Sequence, residues 1–114
     1  PSRVNVIQYI TIANTGNATD FGDLLATNQN QAACSSSVRG VFAGGYTGSG
    51  SNVIQYITIA STGNATDFGD LTVARDSLGG TSNSTRGIFG GGGEANQIDF
   101  ITIASTGNAQ IMEI

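Results

Sequence analysis

The feature that most constrains the fold is a near-verbatim internal repeat. Residues 52–71 read NVIQYITIASTGNATDFGDL, residues 5–24 repeat this text with one letter changed, and a third copy begins at residues 96–109 as NQIDFITIASTGNA. The first two copies are 47 residues apart and the next two are 44 apart. The difference falls in one Gly/Ser stretch, where GGYTGSGSN shortens to GGGEAN, and a length change confined to such a stretch indicates a surface loop.

Each copy has the composition of β-strands. In VNVIQYITIA the apolar residues occupy both alternating sets, so we expect this strand to be covered on both faces. The next segment, TGNATDFGDL, predicts a turn at Thr15-Gly16-Asn17 followed by a short strand anchored by Phe21. A small-residue segment and a glycine-bearing strand, VRGVFAGG or TRGIFGGG, complete the unit. No stretch has a helical apolar stripe, and the chain is therefore predicted to be all-β.

Repeats of 40 to 50 residues with four short strands are typical of β-propeller blades. The predicted architecture is a tandem array of four-stranded antiparallel blade-like repeats of about 47 residues, about 2.4 per chain. Residues 1–29 form a partial repeat, 30–75 a full repeat, and 76–114 a final repeat with an atypical end. The paired glycines are predicted to be structural and to lie where the innermost strand crowds a central channel; they are Gly44, Gly45, Gly91 and Gly92.

The glycine strands and the DFGDL turn carry a resemblance. RGVFAGG and RGIFGGG resemble the double-glycine strands of kelch-type blades, without the tryptophan typical of those blades. YITIASTGNATDFGDLTVAR together with CSSSVRGVF or SNSTRGIF resembles tandem repeats in tail-fibre-like structural proteins of tailed phages, especially cyanobacterial phages. The resemblance covers nearly the whole chain and implies a virion or extracellular location.

Closure of such an array needs more units than one chain supplies. A propeller has four to eight blades, so about 2.4 units require oligomerisation or a longer parent chain. Near-identical units favour assembly, because a face that accepts its neighbour also accepts another chain. A closed ring or longer propeller, an open β filament and some other β arrangement all remain open. At the end QIMEI replaces TDFGDL, which is typical of a capping repeat, so we expect Ile114 to be a natural C-terminus.

Composition excludes several classes of function. The chain has eight acidic residues, four arginines, no lysine and no histidine, and its net charge is −4. Four scattered arginines cannot form the basic stripe that nucleic acid requires, and no apolar run is long enough to span a bilayer. Without histidine, serine or cysteine lacks its usual base, and the repeated carboxylates are turn elements. We therefore expect no catalytic residues, no cofactor, no nucleic-acid partner and no membrane insertion.

The candidate sites are few. The repeated aspartates Asp20, Asp23, Asp67 and Asp70 are weak calcium candidates, but they are better explained as hydrogen-bonded turns. Arg39 and Arg86 occupy equivalent positions, and the favoured interpretation is a repeated ion pair with Asp23 and Asp70. Their functional alternative, together with Tyr46, is a ligand site that recognises an anionic group. Cys34 aligns with Thr81 and is predicted to be a small core residue.

Three classes of function remain. The first is a non-enzymatic structural or adhesion module of a phage virion (fibre, spike or decoration) that acts through self-assembly and surface binding. The second is a glycan-binding propeller lectin, whose few aromatic residues would stack on sugars of a host surface. The third is a self-assembling extracellular β filament. The first is favoured because the chain combines repeats with low charge and lacks catalytic chemistry.

Overall fold

The structure, a computed structural model, describes residues 3–93 and 95–112. Its secondary structure is entirely β, as the sequence predicted, and its strands pair antiparallel in three sheets. Each sheet with its loops is called a unit below: the first unit is residues 3–29, the second 30–75 and the third 76–112. The described part of the chain has no helix that is long and apolar enough to cross a membrane.

The first unit is a two-stranded hairpin, and the other two are four-stranded meanders. The hairpin pairs β1 (Val4–Tyr9) with β2 (Thr19–Asn28). The second sheet runs in chain order through β3 (Ala32–Ser35), β4 (Arg39–Ala43), β5 (Val53–Thr58) and β6 (Thr66–Asp70). The third runs through β7 (Gly79–Ser82), β8 (Arg86–Gly90), β9 (Ile98–Thr102) and β10 (Gln110–Ile111). The glycine-bearing strand β4 lies between β3 and β5, and the paired glycines Gly44 and Gly45 directly follow it.

A β-bulge recurs at the apolar anchor of each DFGD strand. On β2 the pairing passes from Asp20 to Gly22 and leaves Phe21 as the extra residue, and on β6 it passes from Asp67 to Gly69 and leaves Phe68. A bulge reorients the residue that it adds. Both phenylalanines are buried, so the bulge turns the anchor of each strand towards the neighbouring unit.

The hydrophobic core lies between the units. The first cluster joins the first and second units and contains Ile7, Phe21, Leu24 and Ala65, with Phe42 and Ile57 packed against it. The second cluster joins the second and third units and includes Val41, Ile54, Phe68, Phe89 and Ile101. Burial of these side chains is the main apolar contribution to stability. Each unit is therefore stabilised mainly by its neighbour, as in other repeat proteins.

Candidate functional site

The candidate functional site is the contact between consecutive units, where hydrogen bonds join the two units. One part of this contact is a turn that docks on a strand of the preceding unit. The Gly63 N–H donates to the Phe21 carbonyl at 2.8 Å, and the Ala65 N–H donates to the Asp23 carbonyl at 2.8 Å. The side-chain Oδ1 of Asn64 accepts the Asp23 N–H at 3.0 Å. The TGNA turn of the second unit is thus hydrogen-bonded along the DFGD strand of the first.

The same set recurs between the second and third units. Gly107 donates to the Phe68 carbonyl at 2.8 Å, Ala109 donates to the Asp70 carbonyl at 2.9 Å, and Asn108 Oδ1 accepts the Asp70 N–H at 3.1 Å. Each of these asparagines binds the strand of the preceding unit, so their spacing reflects contact between units.

Glycine on the DFGD strand makes this docking possible. A Cβ built on Gly22 overlaps the carbonyl of Gly63, and one built on Gly69 overlaps the carbonyl of Gly107. Any other residue at these positions forces the docked turn away, because real Cβ atoms do not approach backbone so closely. Glycine is therefore the residue that lets a strand receive the turn of the next unit.

The centre of the first contact is neutral and hydrogen-bonded. Gln55 is 2% exposed and its Oε1 accepts the Leu25 N–H at 2.8 Å. Asn28 donates from Nδ2 to the Gly44 carbonyl at 3.1 Å and accepts the Tyr46 N–H at 2.9 Å. Buried amides need such partners, because an unmatched polar group is costly away from water.

The centre of the second contact carries a charge pair that the sequence reasoning missed. Arg75 aligns with Asn28 and Asp99 aligns with Gln55. Arg75 Nη1 lies 3.4 Å from Asp99 Oδ2, and both side chains are almost completely buried. Arg75 also donates from Nε to the Gly91 carbonyl, and the Asp99 carboxylate accepts the backbone N–H and the hydroxyl of Thr72 at 2.9 and 2.7 Å. The sequence carried a signal for this pair. The neutral residues Asn28 and Gln55 of the first contact are replaced by the charged residues Arg75 and Asp99 at the aligned positions of the second.

The predicted ion pairs of Arg39 with Asp23 and of Arg86 with Asp70 are wrong. Within residues 3–93 and 95–112, the structure has a single salt bridge, between Arg75 and Asp99.

The two arginines lie instead over aromatic rings of their own units. The guanidinium carbon of Arg39 is 4.3 Å from the ring centre of Tyr56, and that of Arg86 is 4.4 Å from the ring centre of Phe100. Arg39 also donates to the Ile103 carbonyl of the third unit at 2.9 Å. A guanidinium favours an aromatic face, so these stacked contacts take the place of the expected ion pairs.

The paired glycines follow the second strand of each meander. Gly44 and Gly45 have φ of 70° and 101°, and Gly91 and Gly92 have φ of 71° and 91°. These left-handed conformations are strained for residues with a Cβ. Space is limiting as well, because a Cβ on Gly44 would lie 2.6 Å from the Arg75 carbonyl. The glycines therefore allow a tight turn that packs close to the neighbouring strands.

The remaining candidates are the four aspartates and Tyr46. All four calcium candidates are exposed, and no group of three or more metal-ligating His, Cys, Asp or Glu side chains occurs among the residues described. Tyr46 lines an open cleft of about 500 Å³ that Arg75 also lines. The guanidinium of Arg75 is occupied by Asp99, so it offers the cleft no free charge for an anion.

Cys34 is half-buried against the core between the second and third units. Burial raises the pKa of its thiol to about 11. The thiol is therefore neutral at physiological pH and behaves as a small apolar side chain, because only the thiolate is strongly reactive.

The first unit presents the same docking groups, and none of the described units is docked on them. Gln8 aligns with Gln55 and is exposed, and Gly16, Asn17 and Ala18 align with the docked turn Gly63–Ala65. Neither the Gly16 N–H nor the Ala18 N–H donates to a backbone carbonyl of residues 3–93 or 95–112. This side of the first unit, formed by β1 and residues 10–18, is called the open face below.

Comparison with known proteins adds no family to this description. The sequence matches no family model, and no curated protein is significantly similar to it.

Proposed function

We propose that this chain is a non-enzymatic structural module that works by association of its repeats with further copies of the same repeat. The setting that its resemblance implies is a phage virion, where such a module contributes to a fibre, spike or decoration. The observation that carries the proposal is the open face, which has the docking groups of a contact between units but is not covered by any of the three units that the structure describes.

The polar side chains support this interpretation, because the contacts between units engage several that are suited to chemistry. Asn64, Asn108 and Gln55 bind backbone of the preceding unit, and Arg75 and Asp99 bind each other. A catalytic or ligand-binding group must be free to meet its substrate. These residues serve packing between units.

The aromatic side chains argue against a sugar-binding role. Stacking on a sugar requires an accessible ring face, and the rings of Tyr56 and Phe100 each have a guanidinium over one face. Tyr56 is also packed against the core between the second and third units. In the second and third units the repeated aromatic position therefore stabilises the unit and is poorly suited to binding a glycan.

Hydrogen exchange at low and high protein concentration tests the proposed function. We expect residues 4–18 to gain protection as concentration rises, while residues 53–65 keep theirs, because only the first set lies on the open face. If no segment gains protection up to high concentration, association of repeats is not the function. A glycan array is the companion measurement, and specific sugar binding would favour the lectin.

A further inference from the structure

We propose that two aligned positions in each contact between units form a pairing code, which determines which repeat can pack on which. The receiving position lies in the preceding unit and is Asn28 in the first contact and Arg75 in the second. The docking position lies in the following unit and is Gln55 in the first contact and Asp99 in the second. The code rests on the proposed function and deepens it, because it gives the chemistry of the repeat that each unit receives.

The side chain at the receiving position binds the same backbone group in both contacts. Asn28 donates from Nδ2 to the Gly44 carbonyl at 3.1 Å. Arg75 donates from Nε to the Gly91 carbonyl at 2.6 Å, and Gly91 aligns with Gly44. Both side chains belong to buried residues. The change from amide to guanidinium therefore places a positive charge at one buried point and keeps the carbonyl that this side chain binds.

The side chain at the docking position is equally well matched between the contacts. Gln55 accepts the Leu25 N–H at Oε1 at 2.8 Å. Asp99 accepts the Thr72 N–H at Oδ2 at 2.9 Å, and Thr72 aligns with Leu25. Gln55 is 2% exposed and Asp99 is completely buried. A buried carboxylate in the second contact therefore takes the place of a buried amide in the first.

A third position changes together with these two. The Thr72 hydroxyl donates to Asp99 Oδ1 at 2.7 Å, and Arg75 Nη1 lies 3.4 Å from Asp99 Oδ2. Leu25, at the position of Thr72, has no hydroxyl to donate. A buried carboxylate needs a cation and hydrogen-bond donors, and a buried amide needs no cation. The cation, the carboxylate and the hydroxyl therefore occur as one set in the second contact.

A mixed contact is unfavourable in either direction. A unit with Asp99 that packs on Asn28 buries a carboxylate without a cation. A unit with Gln55 that packs on Arg75 buries a guanidinium without an anion. Leaving one member of a buried ion pair without its partner is strongly destabilising. Each unit therefore selects its neighbour mainly through the penalty on the mismatched one, which is a recognised source of specificity.

Transfer of the ionic set into the first contact of the full chain tests the code. Gln55→Asp places a carboxylate beside Asn28, and we expect it to lower the equilibrium constant for folding by roughly a hundredfold. Adding Asn28→Arg supplies the cation, and adding Leu25→Thr supplies the hydroxyl. We expect the triple variant to recover at least about tenfold of that loss, because interacting substitutions are not additive. Urea denaturation of dilute protein measures each equilibrium constant.

Gln8→Asp is the matched control. Gln8 aligns with Gln55 and is exposed. Gln8 pairs with Asp20 as Gln55 pairs with Asp67, so the control carries the same repulsion between neighbouring strands without the burial. We expect it to lower the equilibrium constant by less than about fivefold. A loss at Gln8→Asp equal to that at Gln55→Asp would show that burial in the contact is not the cause, and would overturn the code.

The reverse exchange in the second contact gives a result even if the triple variant does not fold. Arg75→Asn and Asp99→Gln each leave one buried charge without its partner, whereas the double variant removes both charges. We expect the double variant to be at least about tenfold more stable than the two separate losses combined predict. Losses that simply add in this exchange would overturn the code. The proposed function would still stand, because hydrogen exchange at varied concentration tests association separately.

Discussion

The hairpins β1–β2 and β5–β6 have almost the same sequence, yet they differ in what covers them. Both pair in the same register and both bulge at the phenylalanine of DFGD. Gln55 is 2% exposed and accepts a hydrogen bond from the first unit, whereas Gln8 is exposed. Local sequence therefore determines the hairpin, and the neighbouring unit determines whether its faces are buried.

The two contacts between units differ as well. Asn28 and Gln55 make the first contact neutral, and Arg75 and Asp99 make the equivalent positions of the second contact ionic. A unit with Asp99 that met Asn28 would leave its carboxylate buried without a cation, which is unfavourable. The difference therefore favours one order of units over the alternatives.

The largest expected effect is at the ionic contact. Asp99→Ala leaves Arg75 buried without its counter-charge, and we expect a loss of about 3–5 kcal/mol in the free energy of unfolding. Urea denaturation measures it. Asp67→Ala is the control, because Asp67 is an exposed aspartate on the adjacent unit, and it should change stability by less than about 0.5 kcal/mol. Similar losses for both variants would contradict the importance of the buried pair.

A smaller effect is expected at the strand glycine. Gly69→Ala places a Cβ against the Gly107 carbonyl and should cost about 1–3 kcal/mol, as overpacking does. Gly107→Ala is a matched control, since its φ is 156° against 158° for Gly69 and a Cβ there has no atom within 4 Å. Thermal unfolding of the two variants distinguishes two effects. Both variants carry the cost of replacing a glycine at this φ, and only Gly69→Ala also carries the steric clash with the docked turn. Equal melting temperatures would show that the turn does not dock closely.

The two glutamines give the most direct comparison of the two hairpins. Gln55→Ala leaves the Leu25 N–H without its acceptor and should cost about 1–3 kcal/mol. Gln8→Ala should cost less than about 0.5 kcal/mol when measured on dilute protein, because Gln8 is exposed. Chemical denaturation at low concentration provides both values. If Gln8→Ala were as costly as Gln55→Ala, the first unit would already be covered.

The smallest effect concerns Cys34. Its pKa is raised to about 11 by burial, so the folded thiol stays protonated where an unfolded thiol ionises. The contribution of the Cys34 thiol to folding stability is fully present below pH 9, which is the pKa of the unfolded thiol. This contribution is lost as the pH rises towards 11, the pKa of the folded thiol. Alkylation at pH 8 should be more than about tenfold slower in the folded chain than in denaturant. Equal alkylation rates would show that the thiol is not buried.

Much of the strand structure could be predicted from sequence, and most of the contacts between units could not. Alternating β-branched residues predicted β1 and β5, and the Gly/Ser stretch at residues 44–52 predicted a loop. The partner of Arg39 is the carbonyl of Ile103, 64 residues away in another unit, and no local pattern indicates it. Burial of β1 on both faces was predicted from its composition and is wrong for this copy, because burial depends on a neighbour.

The most direct test of the central claim is the absolute mass of the chain by light scattering over a range of concentrations. We predict that the mass rises above 11.6 kDa as the concentration increases, because association with a further copy of the repeat covers the open face. A mass of 11.6 kDa at every concentration would contradict the claim that another copy covers the open face.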